Sequence, residues 1–128
     1  MSHRILVIDD SRAALQGIRC IVETQPGWEV CGETMNPFEG ILKATTLMPD
    51  LIIIDLHMQQ IDGFETARAI RKSRPAVPII LYSVFGTSGL VPSAIMIGIR
   101  RVVSKADGGP ALVSAIREAL RPSAAAAG

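Results

Sequence analysis

Four aliphatic runs punctuate the chain: RILVI at 4–8, LIII at 51–54, PIILY at 78–82 and RRVV at 100–103. A strand with one wet face alternates apolar and polar side chains. Uninterrupted Ile- and Val-rich runs instead suit strands covered on both faces, as in a parallel sheet flanked by helices. A fifth stretch, WEVCGE at 28–33, does alternate and suits a more exposed strand nearer an edge.

Helix-period segments lie between the runs. Leu15, Ile18 and Val22 share one face in 11–24, with Ile21 alongside, and Ile41, Ala44, Thr45 and Met48 do so in 37–48. Phe64, Ala67 and Ile70 form a stripe in 63–72, and Leu112, Val113, Ile116 and Leu120 another in 110–121. Helix starts are legible too. Asn36-Pro37 with Glu39 fits N-cap, N1 and N3, and Asp62 with Glu65 repeats the spacing. Pro110 is placed at N1 of the last helix. Residues 86–98, with three glycines and Pro92, predict a loop followed by one or two helical turns. Five strands alternating with five helices imply a doubly wound α/β sheet with right-handed crossovers.

The length of 128 residues suits one domain. A net charge of +1 provides no global attraction to nucleic acid, so none is expected to bind directly. The start, MSHRILVIDD, predicts neither a signal peptide nor a membrane span, and a cytoplasmic location is expected. Cys20 and Cys31 match no metal-ligand spacing and read as reduced thiols in or near the core. The sequence predicts a domain over 1–121 and a disordered tail or linker stub over 122–128, RPSAAAAG ending the chain.

Polar residues follow the runs. LVI is followed by Asp9 and Asp10, LIII by Asp55, IILY by Ser83, and VVS by Lys105. In a parallel sheet all strand C-termini share one edge, where ligands bind, so these distant residues are expected to converge. Alone, an Asp after a strand is usually a turn former or helix cap, and Asp10-Ser11 reads equally well as a cap. Together, the crowded carboxylates repel and favour a divalent cation, and oxygen-only ligands favour Mg²⁺ or Mn²⁺ over zinc. A hydroxyl and an ammonium beside a metal-bound carboxylate also match the needs of phosphoryl transfer.

On the segments VIDDSR, PDLIIIDLHMQQIDG, IILYS and VVSK, the sequence resembles a response-regulator receiver domain of two-component signalling, over residues 3–121. GWEVCGE and SKADGGPALVSAIREAL are most similar to NarL-type receivers, whose full-length members usually carry a DNA-binding helix-turn-helix. The resemblance implies a flavodoxin-like five-stranded sheet of order 2-1-3-4-5. It implies Asp55 as phospho-acceptor, served by a histidine kinase or phosphotransfer protein, with Ser83 and Lys105 on the phosphoryl group. Asp9, Asp10, Asp55 and the backbone carbonyl of His57 are implied as the Mg²⁺ or Mn²⁺ site. A homodimer is a further possibility, and the domain is not expected to be an enzyme beyond assisting its own phosphorylation and dephosphorylation.

The chain departs from the family's commonest pattern at several places. Gln59 stands after Met58 and Ala106 after Lys105, where Pro is usual, and Val102 stands where many receivers carry an aromatic switch residue. Tyr82, Phe85 or the loop at 86–92 are candidates to replace that ring, and the weakly helical fourth-helix region suggests readout by ordering of a segment. His57 and Phe85 are candidates for tuning phosphoryl lifetime. Two other readings stay open here. A pseudo-receiver would use the fold only for interaction, and an Asp-nucleophile phosphatase or flavin binder would use the same edge. The adjacent pair DD and the loop DDSR fit the last two poorly.

Overall fold

Each apolar run is a strand in the computed structural model of the chain, which describes residues 2–84, 89 and 91–121. In chain order the elements are β1 (His3–Ile8), α1 (Arg12–Glu23), β2 (Trp28–Thr34), α2 (Pro37–Thr46), β3 (Leu51–Asp55) and α3 (Gly63–Ser73). They continue with β4 (Ile79–Ser83), α4 (Val91–Ile97), β5 (Arg101–Ser104), a 3₁₀ turn (Lys105–Asp107) and α5 (Gly108–Ala119). All neighbouring strands pair in parallel, in the order β2-β1-β3-β4-β5. The expected sheet order is the observed one, and the alternating WEVCGE segment lies at an edge. Expectations about Phe85, about most of the loop at 86–92 and about the tail at 122–128 fall outside the described residues.

Strand alternation divides the core in two. Ile5, Val7, Leu51, Ile53, Ile80 and Tyr82 pack with Leu15, Ile18 and Val22 of α1 and with Leu112 and Ile116 of α5. Leu6, Ile8, Ile52, Ile54, Ile79 and Leu81 face the other way, onto Ala44 of α2, Ala67 and Ile70 of α3 and Ala94 of α4. β3 is buried over its whole length, which is why its sequence has no polar alternation before Asp55.

The caps are as the sequence predicts at two helices: Asn36 Oδ1 accepts from Phe38 and Glu39, and Asp62 Oδ1 accepts from Glu65. Ser11, rather than Asp10, caps α1 through Ala14 N–H at 3.2 Å. Other expectations are corrected. α5 starts two residues before Pro110, because Gly108 at φ 81 turns the chain directly out of the 3₁₀ segment. On α2 the buried side is Pro37, Gly40 and Ala44, and Thr45 and Met48 are exposed. The reason is at Gly40, where a Cβ would lie 2.5 Å from Ile8 Cδ1, so the helix sits directly on β1 along that glycine. Cys20 is exposed rather than packed, and Cys31 is half-buried.

Two arginines hold helix ends to loops. Arg74 donates to the carbonyls of Ala44 and Pro49, and Arg71 donates to four carbonyls, those of Arg74, Val77, Ile97 and Gly98. The second pair of acceptors is the C-terminal end of α4 and the glycine after it, at φ 77. A cation on free terminal carbonyls satisfies the acceptors and complements the helix dipole. Burial, with Arg100 nearby, holds the Arg71 guanidinium below its usual pKa, yet it stays charged. Arg71→Met is expected to lower stability by about 2–3 kcal/mol in urea unfolding, with faster amide exchange at 97–99. Unchanged exchange there would show that Arg71 does not hold α4.

Candidate functional site

Register brings the strand ends together. Ile8 is level with Ile54, Asp55 with Tyr82, Tyr82 with Val103 and Ser83 with Ser104. Asp9 and Lys105 follow directly after the aligned ends of β1 and β5. Alternation aims the odd residues of β1 and β3 toward the α1/α5 side, where Ile5, Val7, Leu51 and Ile53 pack. Asp9 and Asp55 continue those rows beyond the apolar core. The chain thus converts apolar runs into a cluster of charged groups at one edge.

Lys105 Nζ donates to Asp9 Oδ2 at 2.9 Å and lies 3.4 Å from Asp55 Oδ1. Asp9 also accepts the Ser11 backbone N–H at 3.0 Å. Asp9 is 1% exposed and Asp55 5%, so these are buried charges that require partners. One oxygen each from Asp9, Asp10 and Asp55 lies within 4.8 Å of the others. Three hard oxygen donors in that span, one of them half-exposed at the mouth, fit an ion such as Mg²⁺ or Mn²⁺.

Burial raises the Asp55 carboxyl to about 6, helped by the Asp9 charge and opposed by Lys105 and by the His57 backbone N–H. Burial alone would lower Lys105. The bond to Asp9 and the charges of both carboxylates outweigh it and raise the pKa. Tyr82 supplies the low-dielectric wall, its ring centroid 5.5 Å from Lys105 Nζ. Its own hydroxyl is pushed up, chiefly by burial.

The loop after Asp55 is closed by backbone bonds. Leu56 N–H donates to Tyr82 O at 3.2 Å, and Gly63 N–H donates to Leu56 O at 2.8 Å. Only glycine fits at 63, since a Cβ would lie 2.6 Å from Asp55 O. The start of α3 therefore rests on the backbone of Asp55 itself. Among the described residues, a cleft of about 290 Å³ opens beside this loop, lined by Asp10, Met35, Asn36, Pro37, Met58, Gln59 and Gln60.

Asp9, Asp10, Asp55 and Lys105 are thus brought together, and Ser83, 0% exposed, ends β4 level with Ser104. The His57 side chain is exposed. Lys105 is closer to Asp9 than to Asp55, an order that spacing along the chain cannot show. The cleft wall from Met35 to Pro37 and the Tyr82–Lys105 contact carried no sequence signal, because both depend on which strand neighbours which. Val102, half-buried, packs against the α2/α3/α4 side of the core.

Residues 5–117 match the response regulator receiver domain family. The response regulator protein VraR of Staphylococcus aureus is 31% identical over 121 residues, which cover 94% of this chain and 58% of that protein. A protein-glutamate methylesterase/protein-glutamine glutaminase of Methanospirillum hungatei is 41% identical over 80 residues, 62% of this chain and 23% of that one. The chain therefore spans less than two thirds of these curated relatives. Among solved structures, a LuxR-family two-component response regulator from Aurantimonas superposes with a TM-score of 0.89 at 28% identity, covering 94% of this chain and 86% of its own. The response regulator domain of Thermotoga maritima CheB superposes at 0.87 with 27% identity, covering 96% and 99%. Among the described residues, no helix is long and apolar enough to cross a membrane.

A pKa raised on folding stabilises the native state at low pH. That stabilisation is complete below the unfolded value of 3.8 and lost as pH rises through about 6. In metal-free buffer, Asp55→Asn is therefore expected to exceed the parent in stability by about 1–3 kcal/mol at pH 7.5, the gap closing toward pH 4. A pH-independent gap in thermal or urea unfolding would contradict the placement of Asp55 among these charges.

Proposed function

This chain belongs to the response regulator receiver family, and on that premise we propose that it is a phosphorylation-controlled switch whose acceptor is Asp55. The phosphoryl donor is a phosphohistidine on a kinase or phosphotransfer protein, the location is the cytoplasm, and residues 1–121 form the switching unit. One observation carries the reading: a nearly buried carboxylate at the end of the central strand, 3.4 Å from an ammonium and clustered with two further carboxylates.

A carboxyl with a pKa of about 6 is mostly ionised at pH 7 and more basic than an ordinary aspartate. One of its oxygens attacks phosphorus in line. The O–P bond forms as the N–P bond of the donor breaks, and the bonding pair stays on the imidazole nitrogen. Lys105, held between Asp9 and Asp55, presents its ammonium to a phosphoryl oxygen, and the Ser83 hydroxyl donates to another. Asp9, Asp10, Asp55 and the His57 carbonyl would hold Mg²⁺ or Mn²⁺, which when bound supplies positive charge against the non-bridging oxygens. Hydrolysis of the Asp55 acyl phosphate returns the carboxylate and ends the signal.

Phosphorylation replaces the Asp55 carboxylate by an acyl phosphate carrying a charge of about −2 at neutral pH. With Val102 there is no ring at that position to rotate inward. The readout is assigned instead to α4, seven residues long and anchored by Ala94 on the core and by Arg71 at its C-terminus. α3 joins the two ends of this route, since Gly63 rests on Asp55 and Arg71 holds α4. The output lies with a partner surface or with another part of a longer protein.

Incubation with acetyl phosphate and Mg²⁺ is expected to add the mass of one phosphoryl group, and Asp55→Ala to add none. Lys105→Ala is expected to slow uptake about tenfold or more. Full uptake by Asp55→Ala would refute the acceptor assignment. Phosphorylation is also expected to change amide exchange across 91–99, and unchanged exchange there would remove α4 from the readout.

A further inference from the structure

Four of the seven large apolar side chains exposed among the described residues lie on α2 or at its ends: Met35 (42%), Phe38 (55%), Leu42 (62%) and Met48 (58%). Phe38 and Leu42 are one turn apart and form a single outward stripe, with Met35 exposed before the helix and Met48 after it. α2 is not loosely docked, since its opposite side is pressed onto Ile8 through Gly40. The stripe therefore cannot turn inward without lifting the helix.

Flanking the stripe, Glu39 and Lys43 form an (i, i+4) pair at 3.4 Å, the acid toward the N-terminus and the base toward the C-terminus. A two-fold axis that pairs two such helices antiparallel brings the same flank of each together. It sets Phe38 against Leu42 of the second copy and Glu39 against its Lys43. Both the apolar stripe and the charges are thus complementary to themselves. The other exposed apolar helix, α4, carries Ile95 and Met96 but no charged residue to register a copy against it.

We infer that α2 is a dimer interface, occupied by α2 of a second copy of this chain in antiparallel two-fold pairing. The inference does not require phosphorylation. Four half-exposed side chains per copy bury less than the roughly 1,200 Å² of a stable interface, which makes the dimer a weak one. Its dissociation constant is expected to be on the order of 100 µM. Met35 also lines the cleft beside Asp10, so the pairing borders the site without covering Asp55.

Sedimentation of the 128-residue chain from 5 µM to 1 mM tests this. The expected result is a mass rising toward the dimer, abolished by Leu42→Arg and kept by Ile95→Arg. Glu39→Lys is expected to weaken association about tenfold, and adding Lys43→Glu to restore it, as only a two-fold pairing of these residues predicts. Circular dichroism and acetyl phosphate uptake by the α2 variants show that fold and acceptor survive. A chain monomeric at 1 mM overturns the inference. So does a dimer abolished by Ile95→Arg but not by Leu42→Arg, or a reversed pair that fails to restore association. None of these results bears on Asp55 as acceptor, which stands or falls by phosphoryl uptake alone.

Discussion

One ammonium group between two nearly buried carboxylates is the interaction on which this structure depends. Without Lys105, Asp9 and Asp55 would face each other across a low-dielectric wall of Tyr82 and the strand ends, at a cost of several kcal/mol. The groups come from the two ends of the chain, Asp9 and Lys105 being 96 residues apart. The pair exists only when β1, β3, β4 and β5 are aligned in register. The sheet holds the charges in place, and Lys105 makes their burial tolerable.

The same arrangement leaves the edge ready for chemistry. Asp55 is raised to about 6 by burial and by Asp9, so its charge is held close to the point of neutralisation. A group so placed is sensitive to whatever adds or removes charge beside it. Contacts lead from this edge along α3. Gly63 rests on the Asp55 carbonyl at one end of α3, and Arg71 grips the end of α4 at the other. α3 is thus held at both ends.

Similarity to VraR and to the methylesterase covers only part of those proteins, and the family shared is that of the receiver domain. What a receiver domain contacts depends on its outward surfaces, and those of this chain are unequal. α1 presents mainly polar and small residues, whereas α2 exposes a row of large apolar ones beside the cleft. Surface of the second kind is retained at the cost of solubility, which is why it indicates contact with another surface.

Much of this was legible in the sequence. Continuous Ile- and Val-rich runs cannot tolerate a wet face, so a parallel sheet covered on both sides followed from LIII and PIILY. Asn36 and Asp62 marked their helix starts because a capping oxygen needs only local backbone. The polar residue after each run pointed to one edge, because all strands of such a sheet end there. Where the sequence misled, the cause was distant packing. Met48 has the right period to face the core, but Gly40 on Ile8 decides which side of α2 turns inward. Pro110 looked like the start of α5, but the turn at Gly108 begins it earlier. By itself, then, the sequence determined the elements, their alternation and the residues that gather at the sheet edge, since periodicity and capping are local. Only the tertiary structure decided that Lys105 bonds Asp9 more closely than Asp55, that Arg71 holds α4, and that α2 shows an apolar stripe to solvent. Those depend on distances between groups far apart in the chain, which no local spacing encodes.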